Sequence, residues 1–248
     1  MSHVPAATRA LRVLRFLSSQ ADPVPLEAIM RACELPRSTT YHLVNAMIDE
    51  GFVVHLADER RYGLGVGAFE VGSGYSRQAP LQRIARRPLA QLVDRIGHSA
   101  HLAVLHGRDV LYVVEERAPG RPPLVTDVGV RLPAHLTASG RAILAQLSAA
   151  QVRALYPDKE AFVDRTGNGP QSPTALRAVL ADTRRRGYAL EDGEVTAGLR
   201  SIAVPVLDHN DHPVAGIAVT YPADAADPPS AVIAHVARQL SQRLGARG

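Results

Sequence analysis

Six residues of one short stretch, ELPRSTTYHLVNAMIDEG over 34–51, carry side chains suited to nucleic-acid chemistry: Arg37, Ser38, Thr39, Thr40, His42 and Asn45. All are short or forked hydrogen-bonding groups, the types that reach base edges and phosphate oxygens. Leu43, Val44, Met47 and Ile48 form an apolar stripe, while Ser38, His42, Asn45 and Asp49 recur at i, i+4, i+7 and i+11 on another face. The spacing predicts an amphipathic helix. A solvated surface helix has the same split, but here the hydrogen-bonding residues cluster at the N-terminal end, where a recognition helix meets DNA.

The other reactive residues do not assemble into a catalytic or metal site by spacing. Ser139 sits in ASG, not in a Gly-x-Ser-x-Gly elbow. His98 and His101 have opposite parity on one expected strand, and His209 and His212 belong to a turn. Glu115 and Glu116 are adjacent and point apart, and EDGE over 191–194 lacks the spacing of a calcium loop. GLGVGA over 63–68 matches a dinucleotide loop in letters only, since no βαβ unit surrounds it. The expectation is a non-enzyme with no metal and no cofactor.

The elements that position the first cluster are legible around it. Leu11, Val13, Leu14, Phe16 and Leu17 predict a helix from Thr8, its expected N-cap, to Ser19. Pro25 is expected at the first position of a second helix ending at Cys33, and ELP is the short turn to the third, which Gly51 closes. Phe52 to Leu56 and Arg61 to Leu64 read as a β-wing whose tip carries Arg60 and Arg61, either phosphate or minor-groove contacts or a solvated hairpin end. Together these elements make a winged helix-turn-helix over 1–65.

Composition agrees without deciding. The 248 residues are 46% hydrophobic with a formal charge of +4, yet residues 1–75 hold seven arginines against eight acids, so net charge does not identify the DNA-binding part. No apolar run approaches the ~18 residues of a membrane span, and Arg9, Arg12 and Arg15 interrupt the N-terminal apolar residues. A cytoplasmic protein is expected. Cys33 is the single cysteine, so no intrachain disulfide forms.

Beyond an expected linker helix over 66–79, residues 80–248 alternate between helical and β-rich patterns. Leu81 to Ile96 is helical, with Pro88 expected to kink or split it. AHLAVLH and VLYVVEER form a hairpin, and PPLVTDVGVRLP is a strand pair or an extended segment. TASGRAILAQL is helical; SPTALRAVLADTRRRGY is a helix with Ser172 as N-cap, Pro173 at N1 and Arg184 to Arg186 in the last turn, where they complement the helix dipole. SIAVPVL, VAGIAVTY and a final helix from Pro228 to Leu244 complete an α+β domain with a six-stranded, mainly antiparallel sheet.

The segments LPRSTTYHLVNAMIDEGFV, RRYGLGVGAFEVG, PAHLTASGRAILAQL and RRRGYALEDGEVTAGLRSIAVPVLD, in this order, resemble the isocitrate lyase regulator (IclR) family of bacterial transcription factors over almost the whole chain. The resemblance implies a winged helix for double-stranded operator DNA, a GAF-like C-terminal domain for a small organic acid effector, and a homodimer or dimer of dimers. It implies that Ala138 and Ser139 offer backbone amides to an effector carboxylate, and that Glu191, Ser201, Ala218 and Thr220 line the pocket. Where some members have Asp, Cys and Ser, this chain has Glu191, Ser201 and Ala218, which points away from a very small oxo-acid and toward a larger, aromatic carboxylate walled by Leu124, Leu136 and His101. Many relatives have Arg where His42 stands. The runner-up function is a small-molecule enzyme or binding protein that uses its winged helix for protein contacts.

Overall fold

The computed structural model describes residues 4–78, 80–120 and 124–246. Two compact units emerge, Met1–Ala79 and Pro80–Gly248. Ala79, last of the expected linker helix, and Pro122 and Pro123, first of the expected extended segment, lie outside the described residues.

The first unit holds α1 (Pro5–Ser18), β1 (Val24–Pro25), α2 (Leu26–Cys33), α3 (Arg37–Asp49), β2 (Val53–Leu56), β3 (Arg61–Leu64) and α4 (Val66–Gln78). Val13, Leu17, Ile29, Cys33, Val44, Met47, Val53 and Tyr62 make one buried cluster, so each helix contributes the apolar face that its spacing predicts. Two helix starts differ from expectation. Pro5 occupies the first turn of α1, which moves the start ahead of Thr8, and the Thr8 hydroxyl donates back to the Val4 carbonyl instead of capping. Pro25 precedes α2 in extended conformation because it pairs with Arg61 as a third strand beside the wing. Glu34, in the left-handed region, turns the chain toward α3, and Gly51 at φ 73° ends it.

Gly65 and Gly67, from the stretch that imitates a dinucleotide loop, allow a close backbone approach instead. A Cβ on Gly65 would lie 2.3 Å from the Gly51 carbonyl oxygen, which already accepts the Gly67 amide at 2.9 Å.

The second unit is an α+β domain. Its six strands are β4 (Ser99–His106), β5 (Asp109–Glu116), β6 (Arg131–Pro133), β7 (Ala189–Asp192), β8 (Leu199–Leu207) and β9 (Pro213–Pro222), in the order β6-β5-β4-β9-β8-β7, with every pairing antiparallel. The helices are α5 (Pro80–Ile96), α6 (Ala138–Gln146), α7 (Ala149–Leu155), α8 (Pro173–Arg186) and α9 (Ser230–Arg243). On one face Leu89 and Leu92 of α5 and Ile233 and Leu240 of α9 pack against Leu102, Ile202, Ile217 and Val219. On the other, Ile143 and Leu144 of α6 and Leu176 and Leu180 of α8 pack against Ala103, Val110 and Tyr112.

α5 runs unbroken through Pro88. A proline leaves the carbonyl four residues back without its helical donor, and Arg243 of α9 donates to that carbonyl, Ile84 O, at 3.4 Å. Ser172 caps α8 and Gly187 ends it as expected, while Arg184 also donates to the Ala145 and Leu147 carbonyls, fastening α8 to the end of α6. Among the described residues of the expected extended segment, only β6 is a strand.

The seating of α6 organises the pocket face. Ala138 and Ala142 meet Ala189, Ala203 and Ala218 across the sheet, a surface of methyl groups that lets helix and strands approach closely. Two glycines complete the fit: a Cβ on Gly140 would stand 2.2 Å from the Ala134 oxygen, and one on Gly216 would stand 2.7 Å from the Ser139 oxygen. Gly140→Ala is therefore expected to destabilise the second unit by roughly 1–3 kcal/mol through overpacking. Gly72→Ala, with nothing within 4 Å of its Cβ in α4, is expected to stabilise by about 0.5–1 kcal/mol. Thermal melts followed by circular dichroism distinguish the two; equal behaviour would contradict the close seating.

Candidate functional site

On α3, Arg37, Ser38 and His42 are exposed, and Thr39 and Asn45 are half-buried. Thr40 is not part of that surface. It is fully buried, in line with Val44 and Met47, and its hydroxyl donates to the Pro36 carbonyl at 3.0 Å, which ties the start of α3 to the turn before it. Tyr41 takes a place that sequence reading did not assign: it is 51% exposed and shares with Arg37, Ser38 and His42 the wall of an open groove whose other side is His55, Arg60 and Arg61. Its spacing of four from Arg37 was the available signal. Arg37 is paired with Glu27 of α2 at 3.1 Å, and Arg61 donates to the Pro23 carbonyl at 2.8 Å, so both guanidiniums are oriented by the unit that carries them.

In the second unit a pocket opens between α6 and the sheet. It is lined by His101, Tyr112, Leu124, Thr126, Ala138, Ser139, Glu191, Ser201, Ala218 and Thr220, with Val125, Thr137, Val195, Thr196 and Leu199 completing the wall. Strand register brings the polar members together: Glu191 pairs with Ser201, Ser201 with Thr220, and His101 with Ala218. Leu136, expected as a wall, is absent from the lining. Its side chain is buried and turned toward Gly169, where a Cβ would meet its Cδ2 at 2.8 Å. Tyr112, Thr126 and Thr196 were missed because only strand pairing and loop closure bring them to the pocket.

Donors and acceptors are separated within this pocket. The first-turn amides of α6, Ala138 and Ser139, have no intrahelical acceptor, and the helix dipole makes that end favourable for an anion. Thr137 caps the helix by accepting from the Gly140 amide at 3.1 Å. The Ser139 hydroxyl is buried without a hydrogen bond of acceptable geometry, although it stands close enough to the Tyr112 phenol to affect its ionisation. Burial pushes the Tyr112 phenol up, with the Glu191 charge adding to the shift.

Burial likewise pushes the Glu191 carboxyl above the usual range, against the Val195 amide that donates to its Oε1 at 3.0 Å. His101 is fully buried, with Nε2 2.8 Å from the Thr126 hydroxyl. The neighbouring Glu115 carboxyl is lowered to about 2, first by the His101 ring, whose Nε2 is 3.7 Å away, and then by Arg117 at 3.0 Å.

The pocket is narrow: about 30 Å³ is open to the centres of water-sized molecules, within about 420 Å³ of non-atom space that includes open solvent. Among the described residues no group of three or more His, Cys, Asp or Glu is placed to hold a metal ion, and no helix is long and apolar enough to cross a membrane.

Family comparison joins the two units. The IclR helix-turn-helix domain matches residues 6–57, and the bacterial transcriptional regulator IclR C-terminal domain matches residues 73–241. The chain belongs to the IclR family. It is 31% identical over 223 residues to the transcriptional repressor IclR of Escherichia coli, covering 88% of this chain and 80% of that protein. It is 32% identical over 218 residues to the glycerol operon regulatory protein of Streptomyces coelicolor, covering 88% and 85%. The crystal structure of Thermotoga maritima IclR superposes with a TM-score of 0.72 at 26% identity, covering 98% of this chain and all 100% of that one. An IclR homolog from Microbacterium hydrocarbonoxydans, solved in complex with 4-hydroxybenzoate, shares the fold at a TM-score of 0.81 and 24% identity, covering 96% and 98%.

As an IclR-family member the protein is a transcriptional regulator with a helix-turn-helix DNA-binding domain and an effector-binding C-terminal domain. Its curated relatives are regulators rather than enzymes. Within this regulator, Glu191 is a buried carboxyl whose pKa burial raises, and the sign of its effect on stability follows. A carboxyl whose folded pKa is raised destabilises the fold above that pKa, and the penalty fades as pH falls toward the unfolded value. Glu191→Gln is therefore expected to raise the melting temperature at pH 7 to 8, with the gain shrinking as pH falls to about 4. A gain independent of pH would contradict the assignment.

Proposed function

We propose that the protein binds double-stranded operator DNA through α3 and the wing and responds to a small organic, aromatic carboxylate held in the pocket under α6. On this reading residues 1–65 are the DNA-binding domain, 66–79 the linker helix and 80–248 the effector domain, and the protein acts in the cytoplasm. Arg37, Ser38, Thr39, His42 and Asn45 face the major groove, and Arg60 and Arg61 meet the backbone beside it. The open groove that Arg37, Ser38 and His42 share with Arg60 and Arg61 supports this reading.

The effector half is carried by one observation: the buried, unpartnered Ser139 hydroxyl beside free amides at a helix N-terminus. A carboxylate there would accept from all three groups. Ser139 has no base in hydrogen-bonding contact, which disfavours a hydrolytic role. The pocket is narrow, so an aromatic effector is expected to shift wall side chains such as Leu124 and Val125 on entry. We further propose a homodimer or dimer of dimers, since Val66, Phe69 and Val71 expose an apolar surface on α4, Phe69 by 75%.

DNA recognition is tested by fluorescence anisotropy with DNA from upstream of the protein's own gene. Arg37→Ala and Asn45→Ala are each expected to weaken specific binding by about 1–3 kcal/mol. Arg60→Ala is expected to weaken binding to all sequences alike and to reduce the salt slope by about one. Unchanged affinity in both α3 variants would remove the groove assignment.

A further inference from the structure

We propose that Glu191 selects the effector, and that the ligand of this pocket is a monocarboxylate bearing a hydrogen-bond donor, hydroxyl or ammonium, at the end remote from its carboxylate. The proposal rests on the effector reading above and concerns the opposite end of the same pocket.

The geometry separates two chemistries. Donors lie at the α6 end: the Ala138 and Ser139 amides and the Ser139 hydroxyl, whose backbone oxygen sits over Gly216 of β9. The acceptor lies on β7, two strands away in the order β9-β8-β7, in the row of Ser201 and Thr220 rather than that of Gly216. A ligand that places its carboxylate on the helix therefore presents its far end to Glu191.

Glu191 has acceptor capacity to offer. A carboxylate can accept about four hydrogen bonds, and the well-formed bond here is the one from the Val195 amide to Oε1. The Ser201 hydroxyl beside it also bears on the carboxylate as a donor and lies 3.1 Å from the Thr220 hydroxyl, which leaves about two of the four acceptor positions. The charged and titratable groups that act with Glu191 are Glu194 in the following loop, Arg141 of α6 and Tyr112 of β5; His101 of β4 lines the same pocket. Arg141 is the one cation among them that acts on Glu191, and its guanidinium is already engaged by the His135 and Leu190 carbonyls and by Glu194 at 2.8 Å.

Three ligand classes are thereby ranked. A dicarboxylate would bring a second anion against a buried acid that has no cation of its own. An unsubstituted acid would strip remaining water from Glu191 and return nothing. A hydroxyl or ammonium would occupy the open acceptor, and sites built around a buried polar group discriminate strongly against analogues lacking its partner.

Isothermal titration of the full-length protein at pH 7 tests this with two matched series. One comprises benzoate, 4-hydroxybenzoate, 4-(aminomethyl)benzoate and terephthalate; the other comprises butyrate, 4-hydroxybutyrate, 4-aminobutyrate and succinate. In the series that fits, the donor-bearing acid is expected to bind at least about ten-fold tighter than the unsubstituted one, with the dicarboxylate weakest. Glu191→Leu is expected to abolish that preference while leaving the unsubstituted acid bound. Glu191→Gln, which keeps an acceptor oxygen but loses the charge, separates the two donors: an ammonium ligand loses its advantage and a hydroxyl ligand keeps most of it. Folding of both variants is checked by thermal melts, and Glu191→Gln alone suffices for an ammonium ligand if the leucine variant fails to fold. Equal binding of substituted and unsubstituted acids, or a preference for a dicarboxylate, overturns the role of Glu191 and leaves the carboxylate site standing. Binding of none of the acids overturns the carboxylate site and the selector together.

Discussion

The close seating of α6 on the sheet is the constraint from which the rest of the pocket follows. Ala138, Ala142, Ala189, Ala203 and Ala218 supply only methyl groups at the contact, and Gly140 and Gly216 supply none. A larger side chain at the alanines or at Gly216 would lift the helix from the strands, and one at Gly140 would strike the Ala134 backbone that leads into the helix. With the helix down, its first-turn amides and the Ser139 hydroxyl are held against the rows that carry Ser201, Thr220 and Glu191. Helix N-terminus, hydroxyls and acid then face one small volume without any residue being placed there by its own loop. Arg141 reinforces the arrangement from the far side of the helix, joining α6 to the strand and loop that follow α8.

The same economy of side chains accounts for what sequence could and could not reveal. α3 was legible because Val44 and Met47 set its buried face, and the same rule places Thr40, four before Val44, inside. Its polar character had suggested a DNA contact, but a buried hydroxyl that bonds its own turn is equally consistent with the letters. Pro88 illustrates the opposite limit. Local rules predict a break, and the remedy is a guanidinium 155 residues further along the chain, at Arg243. Tyr112 and Thr196 reach the pocket through strand order and a loop return, relations that a helical or strand period does not encode. Ala138, Ser139, Glu191, Ser201, Ala218 and Thr220 were placed by family resemblance, and the sheet brings all six to one cavity. Leu136 was placed in the same way but turns toward Gly169.

A regulator needs its two binding events to be coupled, and the coupling must be a difference in effector affinity between DNA-competent and DNA-incompetent states. The narrow pocket offers a physical origin for such a difference. Leu124, Val125 and the Val195–Thr196 segment line it, and a ligand that shifts any of them gives the domain a different set of wall contacts. The buried carboxyl of Glu191 adds a second term, since burial disfavours its charge and a ligand donor would offset part of that cost.

The central claim, that one chain couples a carboxylate in this pocket to operator DNA, is tested most directly by measuring operator affinity at fixed salt across a titration of the tightest-binding monocarboxylate. The account predicts a saturable change of about 5–150-fold, corresponding to a coupling of about 1–3 kcal/mol. That change would be abolished in a Ser139→Pro variant that removes both the hydroxyl and its amide. An affinity that follows salt alone and ignores the acid at saturation would contradict it.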